Sequence, residues 1–460
     1  MSYLLDFVKS FDETELKQFR NLDLVGKEES VRNEYANHAR DKDVDESRLH
    51  TKLRLSKSHF DKINSVLLDK ALTYFAGNDL KEKLDFLTDK QLSDLVLHEL
   101  KHTEKRLKKQ KDKKVLKEFY AIAFRTCTLF NYNKFPVREI DYYCQCYVQL
   151  LGKLEQGERY RILAKQEEVL MRYYYSRKDG TAKRGASLKK LLKWQAEIKS
   201  KNFFEAEAGI NLGISSYYET FDPGKGLHYL QLSDTAARKV YDKISDRDKA
   251  FLLAMMASHL LDLSRYKECV IKYQELFSTF PHLAGVRIFH PFSYAFVLLI
   301  EKDFKTTSTV MEKYLQPFLK NENARNYHFD VLRMYAIFHL LNGETEKAGN
   351  YLQQILQFGK EEFTPLGDVL FRLVHNVYCV QTGDYVLAAD VLKKNIKYMD
   401  SKLSIEGMDA YKKMFLDLGK VIRFKSRGGL VKQSSSVENI AVGEGRARLY
   451  QDLVKLPLQQ

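Results

Sequence analysis

The sequence predicts an all-α protein in which an array of helical hairpins follows an N-terminal helical head. Three observations carry that expectation. A short signature returns four times between Lys249 and Asp400 at intervals of about 40 residues, a period typical of helical-repeat arrays. Only 7 Pro and 22 Gly interrupt 460 residues, and no valine- and threonine-rich alternating run marks a strand. Outside the repeats, apolar residues recur every three or four positions, as along Phe60, Ile63, Leu67, Ala71 and Tyr74, the spacing of one buried helix face.

Residues 1–78 form the head. Asp12, with Glu13 and Glu15 behind it, caps a helix through Leu16 and Phe19. Further helices are expected over 28–40, 45–54 and 59–75, the last closed by Gly77. The pair 45–54 and 58–75 has helix-turn-helix proportions, with Lys57, Lys62 and Asn64 as candidate DNA-reading residues. An ordinary helical hairpin is the preferred reading, because Asp61 and Asp69 would repel phosphate.

Residues 79–204 read as an irregular helical region, with Thr88 as a cap. A basic stretch between Lys101 and Lys117 has no interleaved aromatic, so base stacking is unsupported and a solvated helical connection is favoured. The tyrosines 142, 143, 147 and 173–175 are assigned to packing between helices. Arg177 to Arg184, with Gly180 and Gly185, reads as a basic loop before a helix over 188–201.

The repeats fall within residues 205–424. With Ser264, Lys302, Gly343 and Gly383 as a common origin, Leu261, Leu299, Leu340 and Val380 stand three before it, and Ala257, Ala295, Ala336 and Asn376 seven before. Two after come Tyr266, Phe304, Thr345 and Tyr385, and five after the small Cys269, Thr307, Ala348 and Ala388. Tyr273, Met311, Leu352 and Leu392 follow at nine, then Phe277, Leu315, Leu356 and Ile396 at thirteen. Small residues on both sides of a turn let two antiparallel helices approach closely, and bulky ones fill the space to the next pair. These columns resemble tetratricopeptide repeats, at a spacing nearer 40 than 34, and the chain is similar to bacterial tetratricopeptide-like proteins. The resemblance implies a right-handed α-α superhelix (a TPR-like solenoid). A capping helix is expected over 408–424, and residues 425–460 read as a glycine- and serine-rich linker ending in a short helix over 446–456 that docks on its own solenoid or on a partner.

Functional motifs are scarce. His98-Glu99-Leu100-Lys101-His102 matches H-E-x-x-H, but the internal lysine, the lysine run beyond and the missing third ligand argue against zinc. No phosphate loop, nucleophile elbow or dinucleotide fingerprint occurs. The expectation is therefore no enzyme, no cofactor and no metal. Lys and Arg number 75 against 61 Asp and Glu, for a net charge of +14, compatible with an acidic partner without requiring one. Five cysteines without C-x-x-C spacing read as reduced thiols of a cytoplasmic protein. The N-terminus is acidic where a signal peptide would be basic. The longest apolar run, Ala250 to Leu263, is broken by His259 and Asp262, so no membrane insertion is expected.

The leading functional expectation is a scaffold that binds a protein or peptide ligand on the surface lined by the first helices of the hairpins. Two polar stripes are its candidate binding residues: Tyr335, His339 and Asn342, and Asp368, Arg372 and His375. A plain solvent face explains them equally well. The alternative is a nucleic-acid-binding or regulatory protein that uses the head and the basic stretches.

Overall fold

The computed structural model describes residues 3–24, 26–39, 46–90, 92–129, 136–175, 180–219, 221–285, 288–320, 325–358, 364–401, 408–426 and 447–458. Among them every regular element is helical and none is a strand. The all-α expectation holds. The chain divides into two compact units, Met1–Tyr217 and Tyr218–Gln460. The linker expected over 425–445 lies almost wholly outside the described residues.

The first unit opens with α1 (Tyr3–Lys9), a helix absent from the sequence reading, which buries Leu4, Leu5, Phe7 and Val8. Asp12 caps α2 (Glu13–Arg20) in a reciprocal box: its carboxylate accepts from Glu15 N at 2.8 Å, and Glu15 Oε2 accepts from Asp12 N at 2.8 Å. The helices α3 (Lys27–Asn37), α4 (Glu46–Lys52) and α5 (Lys57–Ala76) complete the head. Phe60, Ile63, Leu67 and Ala71 of α5 are buried, whereas Tyr74 is 57% exposed. Phe75 takes the inward place instead and meets Phe11 at 4.7 Å between ring centroids, which leaves the tyrosine hydroxyl in water. Asn64 is also buried, and its amide donates to Tyr35 Oη at 2.9 Å.

Asp79, not Thr88, starts α6 (Leu80–Asp89), accepting from Lys81 N and Glu82 N. Thr88 lies inside that helix and returns its hydroxyl proton to Leu84 O at 2.6 Å. The basic stretch is a hairpin between α7 (Ser93–Gln110) and α8 (Lys113–Leu129), turned at a left-handed Lys111. Three of its cations are paired, Lys101 with Glu139, Lys108 with Glu104 and Lys117 with Glu155. Next come α9 (Val137–Leu150) and α10 (Gln156–Tyr173), with Tyr143 and Tyr147 buried as expected. The expected loop around Gly180 and Gly185 is instead the start of α11 (Gly180–Ile198). Arg184 supplies the reason: it is buried, donates to Ser216 O and Tyr217 O, and lies over the Tyr175 and Tyr217 rings, contacts that need a helical register. The unit closes on α12 (Phe204–Tyr218).

The second unit runs α13 (Pro223–Arg238), then the pair α14 (Asp246–Asp262) and α15 (Tyr266–Thr279), then the short α16 (Pro281–Ala284). The next first helix is α17 (Phe289–Ile300). Its partner α18 (Phe304–Val310) continues through a π-helical turn, Met311–Leu315, into α19 (Gln316–Leu319). Two more pairs follow, α20 (Arg325–Leu341) with α21 (Thr345–Ile355) and α22 (Pro365–Gln381) with α23 (Tyr385–Asp400), before the single α24 (Met408–Ser426) and the C-terminal α25 (Ala447–Lys455).

The sequence columns reappear as geometry. Every residue three and seven before the origin is buried, and so is every residue five and nine after it. Cys269 Sγ reaches Ala257 O at 3.1 Å and Asn376 Nδ2 reaches Ala388 O at 2.9 Å, so the two small columns face each other across the hairpin. The thirteen-column fails once: α21 stops at Ile355, leaving Leu356 60% exposed while Ile355 is buried. The origin itself is a left-handed residue in all four pairs, with φ of 60° at Ser264 and Lys302, 77° at Gly343 and 79° at Gly383. In the first three, the following amide reaches back five residues: Arg265 N to Leu260 O, Asp303 N to Leu298 O and Glu344 N to His339 O, at 2.8–3.0 Å. These are Schellman closures, which satisfy the last carbonyls of the first helix.

No atom lies within 4 Å of where a Cβ would stand at Gly343 or Gly383, so only backbone strain opposes a side chain there. Gly343→Ala and Gly383→Ala are each expected to cost about 1 kcal/mol, read as a lowered urea midpoint. Ser264→Gly, at the equivalent turn, should be neutral or stabilising; a loss equal to that of the alanine variants would refute the common geometry.

Candidate functional site

The helix α25 packs on α17, α20 and α22, the first helices of three hairpins, and on α24. Its amphipathic sequence explains the seat. Leu449, Tyr450, Leu453, Val454 and, in the turn beyond, Leu456 are buried, while Arg448 and Asp452 pair at 3.1 Å along the helix. All the buried members belong to the same apolar core as the repeat columns.

Tyr450 is the centre of this contact. Its ring lies 6.2 Å from that of Phe296 on α17; burial holds its pKa above the ordinary tyrosine value, and the nearby Arg333 guanidinium of α20 opposes that rise. Arg333 is only 5% exposed. Its guanidinium pairs with Asp330 at 2.7 Å, donates to Gly367 O of α22 at 3.2 Å and lies 5.4 Å over the Phe329 ring. One buried cation thus joins α20 and α22 beside α25. The fit is incomplete: Arg333 Nε and Gln451 Oε1 are buried without a hydrogen-bond partner among the described residues, and such groups cost about 1–3 kcal/mol each.

Of the two expected polar stripes, Tyr335, His339 and Arg372 find partners on the second helices of their own hairpins. Tyr335 is buried and stacks on Tyr351 of α21 at 4.9 Å, and His339 stacks on the same ring at 5.4 Å. His339 Nδ1 also meets Glu344 at 2.6 Å. Asn342 is exposed beside the turn. Arg372 pairs with Asp368 at 3.0 Å, reaches Asn395 Oδ1 of α23 at 3.3 Å and lies 4.1 Å over the Tyr398 ring. His375 stacks between Phe371 at 5.8 Å and Tyr378 at 6.4 Å. Tyr335 with His339 and Asp368 with Arg372 are therefore brought together on hairpin seams, whereas, among the described residues, Asn342 and His375 are not joined to them. Arg333 and Phe296, which touch α25, were not singled out from the sequence. A lone arginine inside the apolar run Val331 to Leu341 is the signal that could have found the first.

The first unit holds a separate polar cluster. Glu104 of α7 is buried and accepts from Tyr142 at 2.6 Å, Tyr120 at 2.9 Å and Lys108 at 2.9 Å. Burial alone would raise its pKa, but these bonds hold it below the ordinary carboxylate value. Lys101, Glu104, Arg138, Glu139, Tyr142 and Tyr143 line a small cavity of about 290 Å³. The His98 and His102 rings lie parallel, 6.4 Å apart, on the exposed side of α7. Among the described residues no group of three His, Cys, Asp or Glu could hold a metal ion, and no helix is long and apolar enough to cross a membrane. No protein-family model matches the chain, and no curated protein matches it.

Two outcomes follow from these environments. Glu104→Gln should destabilise the first unit by about 2 kcal/mol, the scale of hydrogen bonds to a buried charge, measured by urea unfolding; an unchanged midpoint would mean the cluster is not tied to the fold. Burial first, and then Arg372, hold His375 below its ordinary value of 6.5. As pH falls through 6.5 the unfolded chain takes up the proton before the folded one, so stability present at neutral pH declines until the folded imidazole titrates as well. His375→Gln should lose less stability than wild type between about pH 7 and 5, as read by urea midpoints.

Proposed function

We propose that the second unit is a tetratricopeptide-like right-handed superhelix, and that the protein is a non-enzymatic cytoplasmic scaffold holding a protein or peptide segment against the first helices of its hairpins. The observation that carries this reading is the seat of α25: an amphipathic helix already lies on α17, α20 and α22, anchored by a tyrosine between Phe296 and Arg333. Left-handed turns at one register and facing small columns support the repeat assignment, because such hairpins stack by nearest-neighbour packing into an extended binding face. Helix-in-groove recognition uses apolar anchors three and four residues apart, the pattern of Leu449, Tyr450 and Leu453.

Affinity copurification of the full-length chain from its own cell tests this. Proteins retained by wild type should be lost about tenfold or more from Arg333→Met, which removes hydrogen bonds from a charged donor. They should stay on Lys109→Glu, a change at the basic hairpin of the first unit. Partners kept by Arg333→Met, with circular dichroism confirming its fold, would move the binding site away from this face.

A further inference from the structure

The presence of α25 on the proposed binding face raises the question of how that face becomes available. We propose that α25 is a tethered pseudo-ligand, and that a partner engages by displacing it with an amphipathic helix of its own, presenting leucines at i and i+4, an aromatic ring beside the first leucine and an aliphatic residue beside the second. This rests on the scaffold reading above and deepens it by naming the ligand class and the regulation.

Several observations converge. The helix is separated in sequence from Ser426 at the end of α24 by residues 427–446, so it does not follow α24 through a short hairpin turn like those of the repeats. Its contacts span three successive first helices and α24, the footprint of a ligand lying across repeats rather than of one more hairpin. It contributes no residue to the repeat columns. Its fit leaves Arg333 Nε and its own Gln451 Oε1 buried without partners among the described residues, so a helix that answered Arg333 Nε and buried no unpaired polar group of its own would outcompete it. The pattern Leu449-Tyr450-Gln451-Asp452-Leu453-Val454 supplies the recognition code, with the tyrosine near Arg333 and its ring against Phe296. A tethered segment competes at an effective concentration on the order of millimolar. A free peptide of the same sequence should therefore be excluded from the intact chain unless its intrinsic affinity is high.

The test uses the full-length protein and a fluorescein-labelled peptide of residues 444–460, followed by anisotropy. The variant Leu449→Asp with Leu453→Asp should undock its own helix and bind the peptide at least about tenfold more tightly than wild type does. Adding Arg333→Met to that variant should weaken the binding. Equal binding to wild type and variant would overturn the competition, and no binding to a variant whose helical circular dichroism is intact would overturn the ligand role. Hydrogen exchange on the unmodified chain covers the case in which the variant does not fold. Amides of 447–455 should exchange at least about tenfold faster than those of 330–340; equal protection would show that α25 opens only with the whole unit and would sink the proposal. The peptide arms report on the helix alone. A chain that binds the peptide as expected but retains no cellular protein would remove the scaffold reading while leaving the displaceable helix in place.

Discussion

Each hairpin of the second unit depends on one close approach, between the position seven before the turn and the position five after it. Cys269 on Ala257 O and Asn376 on Ala388 O are contacts that only backbones lying near each other can make. A larger side chain in either column would push the helices apart and open voids around Leu261, Leu299, Leu340 and Val380, and interiors packed at crystal density do not absorb such voids cheaply. The approach also dictates the turn. Two helices that meet so soon after reversing leave room for one left-handed residue, and that conformation appears at Ser264, Lys302, Gly343 and Gly383 alike. Column chemistry, turn conformation and helix placement are thus one constraint seen three ways.

That constraint was legible because it repeats. Four imperfect copies, read in register, located buried faces and turns without any three-dimensional information. Serine and lysine at the origin gave no hint of a left-handed backbone by themselves; only alignment with Gly343 and Gly383 did. What occurs once was harder to read. The first turn of the chain, Leu4 to Val8, is an apolar run too short to declare a period, yet it is buried among the head helices. Thr88 has the chemistry of a cap, but α6 runs past it to Asp89 and its hydroxyl bonds Leu84 O within the helix. Gly180 and Gly185 suggested a loop, and the long-range partners of Arg184 overrode that local preference.

The candidate site shows the same division. Spacing placed Tyr335 with His339, and Asp368 with Arg372, on common faces, and they do share them. Spacing carries no information about which neighbour covers a face, and Tyr351, Asn395 and Tyr398 come from the second helices. The short apolar stripe of α25 could be recognised, but not the helices it would lie on.

Arg333 links the repeat to what departs from it. At the same distance before the other turns stand Ala254, Phe292 and Leu373, so the column is apolar in every other hairpin. A buried guanidinium is costly to desolvate unless its donors are answered. Asp330 and Gly367 O answer part of that demand from within the array, and Tyr450 of α25 lies near the guanidinium. An array that required only stacking would have kept an apolar residue here, as its neighbours do. The arginine stands where α25, rather than another hairpin, covers the first helices. Its Nε has no hydrogen-bond partner among the described residues, so the seat of α25 leaves one donor of the guanidinium unanswered.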